Sequence, residues 1–148
     1  MTAPAMSLDR GRIVVADDDD DHRTLLATWL TQHGYSVVRA HDGQELLEIL
    51  FGVPAYYFAA VVCDQRMPGL HGTECLARAS SRTHFVIVTG SSDPLVEWAA
   101  IRFGALAFLQ KPIDMQRLLD VLNAASERGP GDARRSGTRR PVPYDPDE

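Results

Sequence analysis

Five short apolar runs punctuate the chain, and each stops at a polar or glycine-bearing turn. Residues 12–16 (RIVVA), 35–40 (YSVVRA), 58–63 (FAAVVC), 85–89 (FVIVT) and 106–109 (LAFL) are rich in β-branched or aromatic side chains. They alternate little, which suits strands buried on both faces of a parallel sheet. Between them apolar residues recur at helical spacing. Leu25, Leu26, Trp29 and Leu30 mark one helix, Leu46, Leu47, Ile49 and Leu50 a second, and 73–79 a short third. Asp93-Pro94 opens a fourth, an N-cap followed by proline at the first helical position. Leu118, Leu119, Val121 and Leu122 mark a fifth, capped by Asp114. Gly34, Gly52 and Gly104 stand where helices should stop.

Five strands alternating with five helices predict an α/β fold with helices on both faces and right-handed crossovers. The spacing suits the flavodoxin-like (βα)5 arrangement, a doubly wound five-stranded parallel sheet in the order 2-1-3-4-5. There is no internal repeat. The reading gives a flexible leader over 1–11, one folded domain over 12–127 and a disordered tail over 128–148. The tail is rich in Gly, Pro and Arg, and its only large apolar residues are Val142 and Tyr144. It buries too little surface to offset the entropy of ordering.

Composition changes this picture in three ways. The 148 residues suffice for one compact domain, and the longest apolar stretches are too short to span a bilayer. No membrane association is expected. The net charge of −5 is concentrated in 12–127, because the leader is neutral and the tail sets five arginines against four acidic residues. An acidic folded part argues against nucleic-acid binding by this domain. Cys63 and Cys75 have neither CxxC spacing nor the density of a disulfide framework, so a cytoplasmic location is expected. Fourteen of the fifteen basic residues are arginine, and the one lysine is Lys111.

In open α/β sheets, sites form outside the carboxyl ends of the strands. The residues there are Asp17–Asp21 after strand 1, Asp64 after strand 3, Thr89 after strand 4 and Lys111 after strand 5. Each alone has a plain structural reading: an Asp run as a solvated helix cap, Asp64 as a strand terminator, Thr89 as a turn hydroxyl. Together they describe a phosphoryl site. Converging carboxylates suit a hard divalent cation such as Mg²⁺. A carboxylate can attack phosphorus, and an ammonium and a hydroxyl can hold the phosphoryl oxygens.

The stretches VVADDDDDHR, VVCDQRMPGLHG, FVIVTG and GALAFLQKP resemble the receiver domain of bacterial two-component response regulators, over about residues 12–127. The resemblance implies that Asp64 is the phosphoacceptor. It makes Asp18 a direct ligand of Mg²⁺ (Mn²⁺ as a substitute), with Asp17 acting largely through water and the backbone carbonyl of Arg66 as a further ligand. Thr89 becomes the switch hydroxyl, Phe108 the rotating aromatic, and Lys111 the phosphoryl contact ahead of a cis Pro112. Gly90 leaves room for the phosphoryl group. The Thr73–His84 segment is about three residues shorter than the family pattern, which leaves the length of helix 3 open, and Phe108 replaces the commoner tyrosine. The implied donor is a histidine kinase or histidine phosphotransfer protein. The implied output is contact with a downstream protein, with homodimerisation through helix 4, strand 5 and helix 5 open to this type of domain. No output domain is expected in the chain, and no enzyme activity beyond assistance to its own phosphorylation and dephosphorylation.

Two rival readings stand beside this one. A phosphorylation-independent interaction module would keep the fold without needing all the site residues. An aspartyl-phosphate hydrolase needs an acidic residue two places after the nucleophile, where Arg66 stands, and a cap insertion for which no segment is long enough. His22, His33, His41, His71 and His84 lack metal-ligand spacing and are expected at the surface or at caps. Cys63 and Cys75 are expected to be buried thiols.

Overall fold

A computed structural model describes residues 9–136. The order is β1 (Gly11–Ala16), α1 (Asp20–Gln32), β2 (Tyr35–Ala40), α2 (Gly43–Phe51), β3 (Ala60–Asp64), α3 (Gly72–Ala79), β4 (His84–Thr89), α4 (Pro94–Arg102), β5 (Ala107–Gln110) and α5 (Met115–Ser136). The strands form one parallel sheet in the order β2-β1-β3-β4-β5, as the spacing predicts.

The unalternated strands bury both faces. Val14 and Ala16 of β1 point into one core with Val61, Cys63, Leu46, Leu50, Leu76, Phe85 and Ile87. Ile13 and Val15 point into the other with Val62, Val86, Val88, Leu26, Leu30, Leu118 and Leu122. Side chains two apart in a strand share a face, so a continuous apolar run is what a doubly covered strand requires. The first core lies under α2, α3 and α4, and the second under α1 and α5.

Local chemistry sets the ends. Asp19 caps α1 by accepting from the N–H groups of Asp21 and His22. Asp42 caps α2 through the Glu45 N–H at 2.8 Å, and Asp93 caps α4 ahead of Pro94. Gly34 and Gly104 take φ of +98° and +88° just after α1 and α4, conformations in which a side chain is strained.

Several boundaries differ from the sequence reading. β3 starts at Ala60 rather than at 58 and runs through Asp64, which pairs with Val88. Phe58 stays outside the ladder: its carbonyl accepts from the Thr83 hydroxyl at 2.8 Å while its ring enters the core. β5 is shifted one residue later, to Ala107–Gln110, and the chain enters it with the Leu106 N–H bonded to the Phe85 carbonyl of β4 at 2.7 Å. At the amino end Gly11 belongs to β1, and its N–H bonds the Asp9 side chain. At the other end α5 continues through residues 128–136, the first part of the expected tail. The rest of the expected leader and tail, 1–8 and 137–148, lies outside the described residues. Among the described residues, no helix is long and apolar enough to cross a membrane.

Candidate functional site

The parallel register brings Ala16, Asp64, Thr89 and Gln110 to one edge of the sheet. The residues at or just past those strand ends surround an open cleft of about 430 Å³, lined by Asp18, Asp64, Arg66, Thr89, Gly90 and Lys111, with Asp19 and Ser91 at its sides. Of the polar residues singled out at the strand ends from the sequence, Asp18, Asp19, Asp64, Thr89 and Lys111 line this cleft, while Asp20 and Asp21 stand in the first turn of α1. Asp17 lies at the same edge, buried to 1% exposure, and Asp64 is 7% exposed. One oxygen from each of Asp17, Asp18 and Asp64 falls within 4.8 Å of the other two. Three hard oxygen donors at that separation fit a hard divalent cation.

Asp64 is held from two sides. The Lys111 ammonium donates to Oδ2 at 3.0 Å, and the Arg66 N–H reaches Oδ1 at 3.4 Å. Burial raises the Asp64 carboxyl above the usual aspartate range; the Lys111 hydrogen bond opposes the rise and the neighbouring Asp17 charge adds to it. The Lys111 N–H bonds the Thr89 carbonyl at 2.8 Å, and the Lys111-Pro112 peptide is cis. The Thr89 side chain is buried, and its Oγ1 accepts from the Ser91 N–H at 3.0 Å. Gly90 presents no Cβ, and one built there would meet nothing within 4 Å, which leaves its edge of the cleft open. Phe108 does not line the cleft. It sits half-buried against the core under α2, α3 and α4.

The loop after β3 is braced against α3. Gln65 accepts from the Thr73 N–H at 2.8 Å and donates to the Thr73 hydroxyl at 3.2 Å. Gly72 packs so closely that a Cβ there would lie 2.7 Å from the Asp64 carbonyl oxygen. In the core beneath, the Cys63 thiol donates to the Asp64 carbonyl at 3.5 Å and the Cys75 thiol to the Gly43 carbonyl at 3.8 Å. The neighbouring Cys75 thiol, with burial, pushes the Cys63 thiol well above its usual range.

Two features escape the sequence reading. The brace of Gln65 and Gly72 on α3 depends on a contact that spacing does not reveal. His22, expected as a surface or cap residue, instead places Nδ1 against Asp17 Oδ2. A signal for it exists: His22 is the third residue of α1, the position from which a polar side chain reaches back past the N-cap. A smaller cavity, about 180 Å³, lies at the opposite edge among Arg12, Tyr56, Tyr57 and His84. It is at the amino ends of the strands and has no acidic lining.

Residues 13–123 match the family described as the response regulator receiver domain. The transcriptional regulatory protein FixJ of Bradyrhizobium diazoefficiens is 36% identical over 119 residues, which cover 78% of this chain and 57% of FixJ. The chain thus spans a little over half the length of the curated relatives it matches. Among solved structures, a response regulator receiver domain protein from Clostridium thermocellum superposes with a TM-score of 0.74 at 27% identity, covering 80% of this chain and 95% of that one. The response regulator TrrA of Thermotoga maritima, solved in complex with Mg²⁺-BeF, shares the fold at a TM-score of 0.69 and 24% identity, covering 78% of this chain and 98% of that one.

Proposed function

The chain belongs to the response regulator receiver family, and from that premise we propose that it accepts a phosphoryl group on Asp64 and uses the modification to switch a protein-binding surface. The observation that carries this reading is the setting of Asp64. It lies at the mouth of an open cleft, within a carboxylate cluster, with its Oδ2 3.0 Å from the one lysine of the chain.

In the proposed reaction a carboxylate oxygen of Asp64 forms a bond to phosphorus. The bond from phosphorus to the donor nitrogen of a phosphohistidine breaks, and the nitrogen keeps the electron pair. The donor is a histidine kinase or a histidine phosphotransfer protein. Lys111 turns from the carboxylate to a phosphoryl oxygen, and Thr89 gives up the Ser91 N–H to bind another. Gly90 leaves the cleft open for the group. Asp17, Asp18, Asp64 and the Arg66 carbonyl would hold Mg²⁺, or Mn²⁺ in its place, which when bound supplies charge neutralisation for phosphoryl transfer. The chain is a phosphoacceptor rather than an enzyme acting on other substrates.

The switch follows from what Thr89 leaves behind. Its movement opens space beside Phe108, which turns inward from its half-buried position and shifts the face formed by α4, β5 and α5 between states already present. Leu95, Trp98, Ile101 and Phe103 are exposed on or beside α4 and give that face apolar contacts for a downstream protein or a second copy.

A fluoroberyllate adduct, a mimic of an aspartyl phosphate, tests both halves. Adding it with Mg²⁺ to ¹⁵N-labelled protein should move the amide signals of Thr89, Gly90 and Phe108 in the wild type and leave those of Asp64→Asn in place. Unmoved wild-type signals, or equal movement in Asp64→Asn, would contradict the reading.

A further inference from the structure

We infer that His22 is a positioning residue for Asp17, holding its carboxylate in the orientation that a divalent cation at the acidic cluster requires. The inference rests on the reading of Asp17, Asp18 and Asp64 as the cation site.

A carboxylate buried to the extent of Asp17 needs hydrogen-bond donors. Asp17 has one for each oxygen. The Asp19 N–H donates to Oδ1 at 2.9 Å, and the His22 ring places Nδ1 on Oδ2. An ionised carboxylate only accepts, so Nδ1 carries the hydrogen. The other cations nearby are committed elsewhere. Arg23 bonds the Asp17 carbonyl at 2.7 Å and the Asp20 side chain, and Lys111 bonds Asp64.

The ring itself is fixed by the start of α1. The His22 N–H bonds the Asp19 carboxylate at 3.2 Å, and the side chain is 24% exposed. Two donors on two oxygens stop the Asp17 carboxylate from turning. Its remaining lone pairs stay available to a cation held between it, Asp18 and Asp64. The ring N–H also draws charge from a group that two other carboxylates repel. Hydrogen-bond partners behind a metal ligand commonly change metal affinity by about 10–100-fold.

The opposite behaviour is physically possible and has the opposite sign. If the ring competed with the cation for Oδ2, removing it would tighten binding. Titration of the full chain with Mn²⁺, following the free ion by electron paramagnetic resonance, separates the two. His22→Leu removes the donor and keeps bulk, and should raise the Mn²⁺ Kd by about tenfold. His22→Gln restores an N–H donor and should stay within about threefold of the wild type. Circular dichroism checks that both variants are folded.

Unchanged or tighter binding in His22→Leu overturns the inference while leaving the cation site intact. A directly coordinated ¹⁴N in electron spin-echo spectra of the Mn²⁺-loaded wild type overturns it too, because the ring would then be a ligand. If the wild type takes up no Mn²⁺, or Asp64→Asn takes it up equally well, the reading of the acidic cluster itself fails.

Discussion

Asp64 carries a cost that its proposed role explains. Burial raises its carboxyl above the usual range, against the pull of the Lys111 hydrogen bond. A carboxyl whose folded pKa is raised contributes stability below its unfolded value and loses it as pH rises through the folded one. At neutral pH the ionised side chain is therefore a net burden on the fold. Asp64→Asn should melt higher than the wild type near pH 7 without divalent cation. The difference should shrink as pH falls through the raised value toward the usual aspartate range near about 3.9. Thermal denaturation of both proteins across that range checks it. At this scale the sequence was informative about side chains that stand at strand ends, because strand ends can be read from apolar runs. It placed His22 at the surface or a cap and gave no role to Gln65, because both contacts depend on which neighbour a side chain reaches in space.

Elements form where apolar periodicity and capping chemistry agree. α2 is a clear case. Asp42 accepts the Glu45 N–H at 2.8 Å, and Leu46 and Leu50 bury one turn apart. Asp42→Ala should destabilise the protein by about 1 kcal/mol, read from urea unfolding. Next to the cap, His41 holds its proton more tightly than a free imidazole, through its hydrogen bond to Glu45 and the charges of Glu45 and Asp42. The stability this adds is present below the usual histidine value and fades as pH rises through the raised one. Ring titration by nuclear magnetic resonance should show the raised value in the wild type and a lower one in Glu45→Gln. The helix starts at Asp19, Asp42 and Asp93 and the two-faced strands were legible because each has a local cause. The start of β3 was less so. Phe58 is as apolar as a strand residue, but the pairing of β3 with both neighbours starts at Ala60, and the Phe58 carbonyl takes the Thr83 hydroxyl instead.

The whole molecule consists of two apolar cores separated by the sheet. Leu76 lies fully buried in one and Leu118 in the other. Leu76→Ala and Leu118→Ala should each cost about 2–5 kcal/mol. Their effects should add within about 0.5 kcal/mol in the double variant, because they share no partners across the sheet. The central claim is that Asp64 takes the phosphoryl group, and intact-mass spectrometry after incubation with acetyl phosphate and Mg²⁺ tests it most directly. The account predicts one added phosphoryl group on the wild type, absent from Asp64→Asn and lost when Mg²⁺ is removed. A wild type that stays unmodified, or an Asp64→Asn variant that gains the same mass, would contradict it.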